Sequence, residues 1–167
     1  MVSKAERLRM EYDVNGVSRE RILEEVSLES QEIAERLVTE ANQLADAELL
    51  ARYKWAQQFR MFDEQRGKYG HLSFDQVARI LFSLGQNPRA YLSVAIYVND
   101  DMFADIVEFN KRESALGWRI TWNHLEILAR FGDPESRRAL LNRCMEEKLN
   151  VEQLRGIASE MTKSIRS

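Results

Sequence analysis

SQEIAERLVTEANQLADAELLARYKWAQQFRMF, residues Ser30 to Phe62, settles the architecture. Ile33, Leu37, Ala41, Leu44, Leu49, Leu50, Tyr53, Ala56, Phe59 and Phe62 recur mostly at spacings of three to five, so an α-helix gathers them on one face. Ser27 and Ser30 each offer a hydroxyl that can cap the first turn, and a bend, if there is one, falls near Asp46. An apolar stripe of this kind has two uses: packing into a core, or pairing with another copy as a coiled-coil seam. The carboxylates Glu20, Glu24, Glu25, Glu29, Glu32, Glu35 and Glu40 make the stretch that leads into and opens this helix acidic, as on a solvated helix surface.

Outward from that helix, the chain of 167 residues has 44% hydrophobic and 31% charged residues, with two prolines and seven glycines, which suits a folded helical protein with few linkers. Upstream, Met1 to Asp13 reads as a helix ending at the turn signal Asp13-Val14-Asn15-Gly16, and Ser18 can cap a short helix through Val26. The expected division is an extension over residues 1–28 and a helical domain over 29–167. Cys144 is the single cysteine, so no disulfide forms within the chain and a reducing compartment is expected. The opening residues are too charged for a signal peptide and no run is long enough for a membrane helix, so the expected location is the cytoplasm.

Beyond Phe62, Arg66-Gly67-Lys68-Tyr69-Gly70 interrupts the helix and a helix-turn-helix outline follows over about 72–98. Ser73 caps a helix carrying Phe74, Val77, Ala78 and Leu81. Gly85-Gln86-Asn87 makes the turn, and Pro88 opens a second helix that buries Leu92, Ala95 and Ile96. Arg89, Tyr91 and Ser93, with Tyr97, then fall on faces open to a partner, and the first residues of a recognition helix are those that reach DNA. Three short helices are expected over about 121–165, capped by Thr121, by Asp133 and by an Asn150–Gln153 capping box.

The net charge of −3 counts against nucleic-acid binding by the whole surface. Locally the balance reverses. Between Phe109 and Arg143, seven basic residues (Lys111, Arg112, Arg119, Arg130, Arg137, Arg138 and Arg143) face four acidic ones (Glu113, Glu126, Asp133 and Glu135). Catalytic signatures are lacking. There is no Walker A loop, dinucleotide fingerprint, zinc-protease motif or calcium loop. Nothing in the spacing brings Cys144 to His124 or His71 as a nucleophile and base, and Asp133 with Glu146-Glu147-Lys148 lies on helices, whereas a Mg²⁺ nuclease needs converging ligands. No enzymatic activity, cofactor or metal is expected. Trp122 is read as core filling and His124 as a hydrogen-bonding structural residue.

Taken in order, the aromatic-rich long helix, Tyr69-Gly70, Leu72-Ser73, Ile120-Thr121-Trp122-Asn123-His124-Leu125, Asp133-Pro134-Glu135 with Arg137-Arg138, and Asn150-Val151-Glu152-Gln153-Leu154 resemble the helical N-terminal domain of YhcG-type nucleases over about residues 45–162. The Trp-x-His phrase is also similar to the helix-turn-helix region of ParB-like partition proteins. These resemblances imply an all-α DNA-binding unit from a bacterium, phage or mobile element. The stretch between the candidate recognition helix and Trp122 is longer than in that family, and its nuclease domain is absent, so catalysis is not implied. On this reading Arg89, Tyr91 and Ser93 face the DNA groove and Lys111, Arg112, Arg119, Arg130, Arg137 and Arg138 serve phosphates, with Asn123 assigned to the same interface. The other reading is an all-helical protein-interaction module, dimeric or part of a complex, that docks through the acidic helix 30–62.

Overall fold

The computed structural model describes residues 27–65, 70–74, 76–78, 87–113 and 118–166. The fold is all-α, a bundle of several helices, and no strand occurs among the described residues. Its elements are α1 (Leu28–Glu64), α2 (Pro88–Tyr97), α3 (Asp100–Glu113), α4 (Trp122–Leu128), α5 (Pro134–Glu147) and α6 (Val151–Arg166). A further helical turn follows Ser73, where Ser73 N–H donates to Gln76 Oε1 at 2.9 Å and Gln76 N–H donates back to Ser73 Oγ at 3.2 Å, a capping box. Among the described residues no helix is long and apolar enough to cross a membrane.

Cap chemistry in the sequence marks most of the helix starts. Ser27 Oγ accepts from Ser30 N–H at α1, Asn87 Oδ1 accepts from Arg89 N–H ahead of Pro88, and Asp133 accepts from Glu135 and Ser136 ahead of Pro134. Asn150 and Gln153 exchange hydrogen bonds of 2.8 and 2.9 Å at the start of α6. Asn99 is the cap of α3, its side chain accepting from Met102 N–H at 2.8 Å, and Asp100 and Asp101 lie in the first turn, where carboxylates complement the helix dipole.

α1 has 37 residues and extends for about 55 Å. It runs through Asp46 as one helix, so no break falls there. Only its second half enters the core, through Leu49, Tyr53, Ala56 and Phe59. Tyr53 stacks on Phe103 of α3 at 3.8 Å, and its hydroxyl has Val98 O at 2.8 Å and Asp100 Oδ1 at 2.9 Å as acceptors. Trp55 and Phe59 meet Tyr91 of α2, while Phe59 and Phe62 meet Phe74.

α2 is the central helix. It packs most extensively on α1 and next on α4, with Tyr91, Val94 and Ala95 buried. Ile96, expected inside, is exposed instead, because the inward face of α2 is set by Tyr91, Val94 and Ala95, and Ile96 falls outside that arc. Buried Asn110 of α3 clamps the segment before α4: its Nδ2 donates to Ile120 O at 2.9 Å and its Oδ1 accepts from Ile120 N–H at 2.8 Å. Residues 1–26, which carry most of the expected extension, and the proposed turn at Gly85 and Gln86 with Leu81 lie outside the described residues.

Candidate functional site

The ten residues assigned to DNA from the sequence divide sharply. Tyr91 is buried: it stacks on Trp122 with ring centres 4.7 Å apart, and its hydroxyl accepts from Arg52 Nη1 at 3.2 Å, so it cannot face a groove. Arg137 is also buried. Its Nε and Nη2 both donate to Phe131 O, at 2.9 and 2.6 Å, and its guanidinium lies 5.1 Å from the centre of the Tyr97 ring. Burial lowers its pKa while Asp133 and Tyr97 act in the opposite sense. Arg119 pairs with Asp46 and donates to Asn42 O at 3.2 Å, which leaves its side chain 15% exposed and ties the segment before α4 to α1. These three serve the fold and not a phosphate surface.

The remaining seven are at least partly accessible. Arg89 is exposed in the first turn of α2, beside a groove formed with Asp63, Leu72, Phe74, Leu92 and Ile96. Ser93 is half-buried, and Asn123 is exposed at the amino end of α4. Lys111 and Arg130 are exposed. Arg112 lies over Phe109 and 3.7 Å from Glu113, and Arg138 donates to Asp105 Oδ2 at 2.7 Å. The accessible cations are therefore spread along several elements, and Arg112 and Arg138 sit against carboxylates. Arg89 also stands about 12 Å along the α2 axis from Tyr97, the residue that Arg137 covers.

The chemical constellations weighed in the sequence resolve as structural. His124 and Cys144 are brought together, contrary to expectation, on one atom: His124 Nε2 lies 2.9 Å and Cys144 Sγ 3.8 Å from Leu149 O. Thr121 N–H donates to His124 Nδ1 at 3.0 Å, so Nδ1 is the acceptor and Nε2 carries the hydrogen donated to Leu149. Both nitrogens are thus committed to a neutral imidazole, and burial lowers its pKa further. Burial pushes the Cys144 thiol up to about 12, which keeps it protonated and unreactive. Trp122 is in the core as expected and donates through Nε1 to Glu126 at 2.8 Å. Asp133 caps the start of α5, whereas Glu147 pairs with Arg143 and Lys148 with Glu113 at its far end, about 20 Å away, so these groups cannot share a metal ion. Hydrogen bonds from Ser136 hold the Asp133 carboxyl below its ordinary range. No group of three or more His, Cys, Asp or Glu side chains is placed to hold a metal among the described residues.

The least satisfied surface is the first half of α1. None of its residues before Leu49 is buried, although the apolar stripe continues through them: Ile33 is 49% exposed, Leu37 61% and Leu44 72%, with Leu28 and Val38 also exposed. The sequence carried a signal for this division. The aromatic residues of α1, namely Tyr53, Trp55, Phe59 and Phe62, all fall in its second half, and the apolar residues of the first half are all aliphatic. No family model, curated protein or solved structure matches the chain.

Proposed function

We propose that this chain is a non-catalytic helical docking module that seats a helix of a partner protein on residues 28–47 of α1. The observation that carries the reading is the stripe Ile33, Leu37, Ala41 and Leu44, which stays exposed after the rest of α1 has entered the core. A lone exposed leucine is ordinary on a protein surface, but an aliphatic row along about 17 Å of helix is the arrangement that helix-in-groove and coiled-coil recognition use. Removing the accessible part of Ile33, Leu37 and Leu44 from water supplies roughly 3–5 kcal/mol before the cost of association is subtracted. The stripe alone therefore supports a weak contact, and specificity must come from its flanks. The commitment of His124 and Cys144 to internal bonds supports the absence of catalysis.

The test is photo-cross-linking in the cells that express the chain, with p-benzoylphenylalanine at Leu37 and, as the control, at exposed Asn142 of α5. A discrete protein adduct at position 37 that is absent at 142 is expected. Equal, diffuse labelling at both positions would refute the reading.

A second reading, a DNA-binding accessory protein, is favoured by exposed Arg89, Lys111 and Arg130 together with exposed Asn123 in the phrase that resembles ParB-like proteins. It predicts duplex DNA affinity that falls steeply between about 50 mM and about 200 mM salt, with a shallower slope in Arg89→Ala/Lys111→Ala/Arg130→Ala. Absence of binding at the lower salt would remove this reading.

A further inference from the structure

We infer that the helix received by α1 is a basic amphipathic helix from another protein and not a second copy of this chain. The inference rests on the docking reading above and adds the chemistry of the partner. Ile33, Leu37, Ala41 and Leu44 follow one another at spacings of four, four and three, which places them in one row. Carboxylates border that row. Glu29 is one turn from Ile33, Glu40 is one turn from both Leu37 and Leu44, and Glu48 is one turn beyond Leu44.

From Leu28 to Ala51 the helix has six acidic residues and one basic residue, Arg36. Two of the six are engaged within the fold: Asp46 by Arg119 and Glu48 by Arg52, the latter at 3.0 Å. Glu29, Glu32, Glu35 and Glu40 are exposed, and Arg36 is the one basic residue within residues 28–51 of the helix. A second copy would bring Glu29 and Glu40, the exposed carboxylates beside the row, against the acidic edge of its own equivalent helix, where charge pairing selects partners. Lysine or arginine beside the apolar positions of an incoming helix converts the same edges into attraction, which also steers the encounter. The aliphatic row supplies the seat and the carboxylates choose the occupant.

The experiment uses the full chain and three fluorescein-labelled peptides of about three heptads. The first has a leucine stripe with lysine flanks, the second has the same stripe with glutamate flanks, and the third has the composition of the first in scrambled order. Fluorescence polarisation is read at about 50 mM and about 500 mM salt, and sedimentation equilibrium of the chain alone is measured alongside. The lysine-flanked peptide is expected to bind at least about tenfold more tightly than either control at low salt, with the preference shrinking at high salt and in Glu29→Lys/Glu40→Lys. Leu37→Asp/Leu44→Asp is expected to abolish binding. Unchanged circular dichroism and thermal unfolding in both variants, whose altered residues are all exposed, would establish that they are folded.

Equal binding of the lysine- and glutamate-flanked peptides would overturn the inference while leaving the docking reading intact. Equal binding of the scrambled peptide would overturn it as well. A chain that sediments as a dimer, and as a monomer after Leu37→Asp, would make the second copy the occupant. A monomeric chain that binds none of the peptides would overturn the docking reading along with the inference.

Discussion

Replacing Arg137 with alanine should unfold this protein more readily, and the expected cost follows from its contacts. Two N–H groups of a buried guanidinium converge on the Phe131 carbonyl at 2.9 and 2.6 Å. Hydrogen bonds from a charged donor contribute about 1.5–3 kcal/mol net, and removing the donors also leaves that carbonyl without its partner. The cation over Tyr97 at 5.1 Å adds about 0.5–1 kcal/mol. A total near 2–4 kcal/mol would lower the urea midpoint by roughly 1–2 M at a slope of about 2 kcal/mol per M. The neighbouring Arg138→Ala is the internal control: its pair with Asp105 has both side chains nearly half exposed, so its removal should cost about 0–1 kcal/mol. Arg137→Lys should recover little, because one ammonium cannot donate the fork and cover the ring together. Paired urea titrations followed at 222 nm decide the matter. Equal midpoints for Arg137→Ala and Arg138→Ala would refute the assignment of Arg137 to the core.

Three further outcomes follow from the same contacts. His124 is buried with its pKa lowered, so the unfolded chain takes up its proton first; stability is complete above about pH 6.5 and falls by at most about 1.4 kcal/mol per pH unit as the pH drops below that value, a dependence that His124→Gln should flatten in urea titrations between pH 7 and 5. Tyr91→Ala removes a fully enclosed ring and should cost about 3–5 kcal/mol, while Tyr91→Phe, which keeps the ring and loses the bond from Arg52, should cost about 0.5–1.5 kcal/mol by the same assay. Cys144 should resist iodoacetamide in the native protein and react at once in denaturant, as read by mass spectrometry; rapid native labelling would contradict its enclosure.

Local chemistry was readable from the chain. Ser73, Pro88, Asp133-Pro134 and Asn150 with Gln153 mark helix starts through contacts within a few residues, so residue type and spacing point to them, whereas the choice of Ser27 over Ser30, the return bond of Gln76 to Ser73 and the cap at Asn87 emerge only in the structure. The all-α architecture followed from the periodicity of the segments between them. Direction and neighbours were not readable. Arg119 and Arg137 looked like a phosphate surface because charge is visible in a sequence and burial is not; each is held by a partner that folding brings to it, Asp46 from far away in the chain and the Phe131 carbonyl from the preceding turn. Tyr91 was misassigned for a related reason, since helical spacing gives relative faces but not which face meets α1 and α4. The stripe on residues 30–62 was correctly read as one amphipathic helix. Its periodicity gives no sign of where the core ends, because packing stops at Leu49 while the pattern continues, and only the shift from aliphatic to aromatic residues marks the place.

The division of α1 is open to a direct measurement by hydrogen–deuterium exchange of the free, full-length chain, resolved by peptide along the helix. Amides over residues 31–41 should exchange far faster than those over 53–62, because fraying up to Ala41 breaks neither a core contact nor the Arg119 bonds to Asn42 and Asp46, whereas opening the second half must expose Tyr53, Ala56 and Phe59. Protection over 31–41 as strong as over 53–62 would mean that this face is already covered in the free protein, and the account of α1 as a docking surface would be wrong.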